Sequence, residues 1–205
     1  MYKSIGDDRK IMYNTENKQQ RGEEKRILIS KKALELFKKD GYDQVTVDMI
    51  VKACKTSKGS FYHHFKSKAD ILNEQFVIAD DYYEKVYQAL PQELTAKERC
   101  KYFIDEMYIY LEKTFGREFL TIIYATSLRS EKHLYFRNLN RKLFLIYEQL
   151  LKELLALNDS NIDMLKQTLT QLTMGIIYFW CTQPEKESLQ KSAEPAINHF
   201  LSVFD

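Results

Sequence analysis

The chain has 205 residues, of which 44% are hydrophobic and 29% charged, with six glycines and three prolines. That is an ordinary globular composition, long enough to bury a core and poor in helix breakers. The cysteines Cys54, Cys100 and Cys181 are odd in number and far apart, without a CxxC spacing. Neither a zinc site nor a disulfide framework is expected, and the thiols read as those of a reduced, cytoplasmic protein.

No apolar segment at the start resembles a secretion signal, and the apolar run Leu172 to Cys181 falls short of the ~20 residues that span a bilayer. A membrane partner is therefore not expected. Charge is unevenly placed: residues 1–72 hold 16 Lys and Arg against 10 Asp and Glu, a surplus of 6, while residues 73–205 hold 15 against 19, a deficit of 4. A basic first third points to a polyanionic partner for that part alone.

Residues 1–22 have mixed charge and no apolar period, and are expected to form a disordered extension. From Glu23 the spacing of Ile29, Ala33, Leu36 and Phe37 is that of an amphipathic helix, stopped by Gly41. Thr46 is placed to cap a short helix, Val47 to Cys54, and Ser57 to cap another, Lys58 to Phe65. Ser67 with Asp70 opens a fourth, whose stripe Leu72, Phe76, Ala79, Tyr83, Val86 and Leu90 runs to Pro91. The fourth helix joins the first three to the rest of the chain without a flexible linker.

Thr95 with Glu98 forms a capping box for a helix to Gly116, and a shorter helix follows to about Arg129. Ser130 is expected to cap a long helix to Leu157, and Ser160 with Asp163 the next, to about Thr182. Pro184 breaks the chain before a last helix ending near Phe204, which either kinks at Pro195 or starts near Ser192. No strand signal competes. The expected fold is all-α with about nine helices: an N-terminal three-helix helix-turn-helix domain over residues 23–70 and a helical body over residues 71–205.

Three short helices with tight turns and a basic surplus describe a helix-turn-helix unit. In its third helix Phe61 and Phe65 face inward, leaving Lys58, Gly59, Ser60, Tyr62, His63 and His64 outward, with Lys66 and Lys68 just beyond. Small residues there let the backbone approach base edges, and the polar ones donate to phosphates. Adjacent His63 and His64 diverge by ~100° on a helix and read as phosphate contacts rather than metal ligands. Asp48 reads as a first-turn residue answering the helix dipole.

The stretch Thr46 to Leu72, TVDMIVKACKTSKGSFYHHFKSKADIL, resembles the signature of TetR-family regulators. The matching features are the opening threonine, Ile-x-x-Ala, Ser-x-Gly, Tyr-x-His-Phe, Lys-x-Lys and an apolar pair. The preceding helix, with Ala33, Phe37, Gly41 and Tyr42, fits as well. One departure stands out. Where the family has glycine then an apolar residue in the turn, this chain has Lys55 and Thr56, which places a lysine near the DNA backbone. The residues expected against double-stranded DNA are thus Thr46, Lys55, Thr56, Ser57, Lys58, Gly59, Ser60, Tyr62, His63, His64, Lys66 and Lys68.

The resemblance further implies a homodimer joined through the last two long helices, with a ligand pocket in each body. In keeping with this, the helix from Ile162 becomes apolar nearly all round beyond Leu172. Leu165, Leu169, Leu172, Gly175, Ile176 and Phe179 are assigned to the dimer face. Aromatics crowd residues 102–147. Phe103, Met107, Tyr110, Phe119, Tyr124, Phe144, Tyr147 and Tyr178 are the candidate lining of an apolar effector pocket, though aromatics at helical spacing are more often plain core.

No catalytic dyad, Gly-rich phosphate loop or metal spacing is present, so neither an enzyme nor a cofactor is expected. The expected function is a sequence-specific transcriptional regulator, a repressor released from a palindromic operator by a small hydrophobic effector. The alternative is a DNA-binding protein without a pocket, regulated by a protein partner or acting architecturally. A body cavity of at least ~300 Å³ would favour the first, and a filled core the second.

Overall fold

The computed structural model describes residues 5–129, 140–155, 161–183 and 187–204. Among them are nine helices and no strand: α1 Ile5–Asp40, α2 Val47–Ala53, α3 Lys58–His64, α4 Lys68–Gln88, α5 Ala96–Thr114, α6 Gly116–Arg129, α7 Lys142–Leu154, α8 Ile162–Thr182 and α9 Leu189–Ser202. The chain forms two compact units, residues 1–71 and 72–205, and the division falls within α4.

The first unit is α1 to α3 with the start of α4, built on Ile29, Ala33, Phe37, Val45, Ile50, Phe61 and Phe65, all at most 2% exposed. The expected disordered extension differs from what is found, since α1 reaches back to Ile5. Its early residues include Lys, Arg and Gln, which are good helix formers, and contain no proline, so the helix set by Ile29 to Phe37 can propagate backward. Residues 1–4 lie outside the described part. Gly41, at φ 82°, ends α1 and donates its N–H to Phe37 O at 3.1 Å, the left-handed stop that a residue without Cβ makes readily.

The caps of the next helices are those the sequence places. Thr46 accepts from Met49 N at 3.3 Å and Ser57 from Ser60 N at 3.1 Å. At the head of α4, Asp70 accepts from the backbone N–H groups of Lys66 (2.8 Å) and Ser67 (3.2 Å). The Thr95–Glu98 capping box is complete.

The second unit packs α5 against α7 and α9, and α8 against α6, α7 and α9. Its core includes Phe103, Ile104, Tyr108, Phe119, Phe144, Tyr147, Leu150 and Leu169, each at most 2% exposed. The single long helix expected from Ser130 to Leu157 is not what forms. Asn140 stands in a turn, Arg141 is extended (φ −64°, ψ 145°), and α7 starts at Lys142. Arg141 is turned into the interior toward α4, and that overrides the local helical pattern. Ser130, Leu157, Asn158, Ser160 and Pro184 lie outside the described residues. Asn161 stands at the head of α8 without a side-chain cap bond. α9 begins earlier than expected, because Ser188 caps it by accepting from Lys191 N at 3.3 Å, so Pro195 sits inside the helix.

Glu148 on α7 ties two helices together, accepting from Lys152 at 2.7 Å and from Lys166 on α8 at 2.8 Å. These hydrogen bonds hold its carboxyl down to about 2. A depressed carboxyl contributes stability above its unfolded value near 4.5, and that contribution is lost as pH falls toward 2. The side chain is about one-quarter exposed and its partners reach the surface, so screening by water keeps the effect to about 1 kcal/mol. In urea denaturation, Glu148→Gln should be less stable than the wild type at pH 7, and the gap should close between pH 4.5 and 2.

Candidate nucleic-acid interface and body cavity

α3 presents two faces. Phe61 (0% exposed) and Phe65 (2%) point into the first unit, while Tyr62 is 54% exposed. Lys58, Gly59, His63 and Lys66 are exposed too, and Ser60 and His64 half-buried. Edge-on packing of Phe61 on Tyr62, with ring centres 5.3 Å apart, directs the Tyr62 ring. Lys58 Nζ lies 2.8 Å from Asp48 Oδ1, linking the head of α3 to the first turn of α2 and holding the ammonium above its ordinary value. Asp48 is therefore a partner of Lys58 as well as a first-turn acid. Partial burial and the neighbouring His63, then Arg26 and Lys25, push His64 below the usual imidazole range.

The turn between α2 and α3 is a Schellman stop. Lys55 N donates to Lys52 O at 3.2 Å and Thr56 N to Val51 O at 2.9 Å, with Lys55 at φ 50°. A lysine thus occupies the left-handed position that glycine would take without strain, at a cost of ~1 kcal/mol. The side chain of Lys55 is exposed, that of Thr56 half-buried, and Thr46 and Ser57 are exposed.

Lys68 departs from a simple surface cation. Its ammonium donates to Tyr42 O at 2.5 Å and Val45 O at 3.0 Å, and stands 4.2 Å from the centre of the Tyr42 ring. Burial lowers its proton affinity. Two of its three protons hold the α1–α2 connection, which leaves one for an outside acceptor.

In the second unit a narrow cavity lies among α4 to α8. Met107, Tyr124, Phe144 and Tyr147 line it, as expected, together with Phe76, Tyr83, Leu111, Leu120, Leu143, Thr173, Met174, Ile177 and the charged Arg141. The other four candidates are elsewhere. Phe103 and Phe119 are core, Tyr110 stacks on Tyr82 with centres 4.0 Å apart, and Tyr178 is 52% exposed. The space open to water is about 40 Å³. That is far below the ~300 Å³ expected of an effector pocket, because the aromatic rings and Arg141 fill it.

Arg141 makes a two-pronged ion pair with Asp80 on α4, Nη2 to Oδ1 at 2.7 Å and Nε to Oδ2 at 3.2 Å, both side chains under 10% exposed. Its guanidinium lies 5.1 Å from the Phe144 ring centre and 5.8 Å from that of Phe76. Burial raises the Asp80 carboxyl and lowers the Arg141 guanidinium, against their mutual attraction. Next to it Lys142 pairs with Asp81 (2.8 Å) and Glu84 (2.6 Å). Sequence reasoning missed Arg141, since its partner lies 61 residues away and no local period announces it.

Of the residues assigned to a dimer face, Phe179 is 59% exposed, Gly175 is exposed, and Leu165, Leu172 and Ile176 are half-buried. Leu169 is 0% exposed within its own unit and belongs to the core, because it shares the inward face of α8 with Thr173, Ile177 and Trp180. Met164 (59%) and Tyr178 (52%) belong instead to the open face. Among the described residues no group of three His, Cys, Asp or Glu side chains suits a metal ion, and no helix is long and apolar enough to cross a membrane.

Comparison with known proteins agrees with this geometry. Residues 29–74 match the family described as bacterial regulatory proteins, tetR family. The chain is 27% identical over 150 residues, 72% of its length and 77% of the relative's, to the biofilm operon icaADBC HTH-type negative transcriptional regulator IcaR of Staphylococcus aureus strain Newman. It is 42% identical over 64 residues, 31% of its length and 21% of the relative's, to the HTH-type transcriptional regulator YuxN of Bacillus subtilis. In fold it is similar to the transcriptional regulator FadR of Bacillus subtilis in complex with stearoyl-CoA, with a TM-score of 0.69, 20% identity and coverage of 86% of this chain and 97% of that one. It is also similar to Thermus thermophilus FadR in complex with lauroyl-CoA, with a TM-score of 0.68, 20% identity and coverage of 86% and 93%.

Two substitutions separate fold from recognition on α3 and α4. A Cβ added to Gly59 would meet only Ser57 Oγ, at 3.8 Å, so nothing in the protein requires glycine there. Gly59→Ala should raise stability by up to ~1 kcal/mol in denaturant and yet weaken DNA binding. Unchanged affinity would remove Gly59 from the interface. Lys68→Ala should cost about 1–2 kcal/mol of stability and flatten the salt dependence of binding by roughly one unit of slope. A folded variant with an unchanged slope would make Lys68 purely structural.

Proposed function

We propose that this chain, a DNA-binding transcriptional regulator of the TetR family, is a cytoplasmic repressor that binds a palindromic operator as a homodimer and is released when a small apolar effector enters the body cavity. The observation that carries the DNA-binding part is the outward face of α3: a glycine that the fold does not need, flanked by Lys58, Ser60, Tyr62 and His63. Such a face suits close backbone approach to base edges, with phosphates held at the margins by Lys55, Lys66 and the remaining proton of Lys68.

The effector part is supported by the apolar lining of the cavity and by the acyl-CoA esters held by the two FadR proteins. α4 carries Lys68 and, twelve residues on, Asp80 in the same unbroken helix. An effector that moves Asp80 therefore acts on an element that also carries an interface residue, provided it prefers one state of the helix over the other. The small volume of the cavity favours a second reading, in which the body is a filled core and a protein partner supplies the regulation.

Selection of bound sequences from a random duplex pool tests the first claim. A palindrome with half-sites one helical turn, ~34–36 Å, or a multiple apart is expected. An asymmetric site or no enrichment would overturn it. The dimer is tested on the open face of α8, where an interface of ~1,200 Å² or more is expected. Sedimentation should show a wild-type dimer at micromolar concentration, and monomers or aggregates for Gly175→Glu. A monomeric wild type would end that assignment.

A further inference from the structure

We propose that the effector is an apolar molecule ending in a single carboxylate, which takes the Arg141 guanidinium from Asp80. This rests on the effector reading of the body cavity and names its ligand class.

The cavity wall is hydrocarbon and aromatic apart from a few polar atoms, and Arg141 is the one charged residue lining it. Two of its polar neighbours there have partners within the protein: the Tyr147 hydroxyl donates to Thr173 Oγ1 at 3.2 Å, and the Tyr124 hydroxyl to Met174 O at 3.0 Å. Asp80, which balances Arg141, does not line the cavity. An entering molecule therefore meets the guanidinium and not its counter-ion.

A guanidinium is matched by a planar anion that accepts two parallel hydrogen bonds, the geometry Asp80 already provides. A carboxylate reproduces that pattern. A neutral head cannot replace the charge Asp80 supplies, and an ammonium head would bring like charge against a buried cation. The Phe76 and Phe144 rings beside the guanidinium place apolar surface next to the anion site. With about 40 Å³ available, the cavity seats little more than a headgroup. The tail needs Met107 and Met174 to swing, and unbranched thioether side chains do so more readily than branched ones.

The exchange leaves Asp80 on α4 without Arg141 and breaks the clamp between that helix and the head of α7. A neutral ligand filling the same space would leave the clamp closed.

The test is calorimetric titration of the full-length protein with decanoate, 1-decanol and decylammonium, each below its aggregation limit. Decanoate should bind about ten-fold or more tightly than either of the others. Asp80→Asn weakens the internal competitor and should tighten decanoate several-fold while leaving decanol unchanged. Arg141→Lys keeps the charge but loses the fork, and should erase the preference for decanoate. It also serves where Asp80→Asn fails to fold. Decanol binding as tightly as decanoate would overturn the carboxylate assignment and leave the effector reading standing, as would an Asp80→Asn protein that is folded but no tighter for decanoate. Failure of all three probes to bind would overturn both.

Discussion

The buried pair of Asp80 and Arg141 constrains the body more than any other single contact. Two opposite charges under 10% exposed hold each other in place, and substituting either costs about 3–5 kcal/mol. The pair accounts for several features at once. It draws Arg141 out of helical geometry and so fixes where α7 begins. It brings the next residue, Lys142, against Asp81 and Glu84, so that two consecutive bases grip three acids on one helix. It also sets a cation in the wall of a cavity that is otherwise nearly apolar, and Phe76 and Phe144 pack beside that cation.

This pair also marks where the sequence stops being legible. Much of what neighbours along the chain govern is legible: the apolar stripe of α1, the caps at Thr46, Ser57 and Thr95, the Gly41 stop, and the inward Phe61 and Phe65. Each depends on contacts within about five residues. Other departures depend on contacts made across the fold. The pattern from Ser130 to Leu157 is helical on propensity alone, whereas Arg141 is extended and pairs with a carboxylate 61 positions earlier. Likewise Phe103, Phe119 and Leu169 carry the same periodicity as residues that line the cavity or the open face. Period identifies an apolar face but not what covers it. The helical start of α1 has a local origin: residues 5–22 carry no apolar stripe to announce a helix, yet without proline they extend one already formed.

The first unit shows residues spent against local stability. Lys55 sits where glycine would be unstrained, and Gly59 sits where alanine would be better for the helix. The two choices oppose the fold in opposite chemical directions, one by adding a side chain and the other by withholding it. Both positions face outward on the same turn and helix head. Neither choice answers a need inside the unit, and both would suit a polyanion, which rewards a cation at the turn and a bare backbone at the helix. Lys68 differs in kind. Its two carbonyl bonds make it part of the scaffold that holds the α1–α2 connection, and one proton remains for any acceptor outside.

The same reasoning applies to α8. Tyr178, Phe179 and Met164 are each more than half exposed, whereas Leu169, Thr173, Ile177 and Trp180 are buried on the opposite face. Apart from the contact of Tyr178 with Tyr124, such exposed aromatic rings gain little from their own unit, and exposed apolar surface of this sort marks interaction sites. Gly175 stands between them with no atom within 4 Å of where its Cβ would be, so close packing inside the unit does not account for it. As with Gly59, a residue that its own unit does not need points to a neighbour that does, and a second copy of α8 laid across this face would use both the flat rings and the gap beside them.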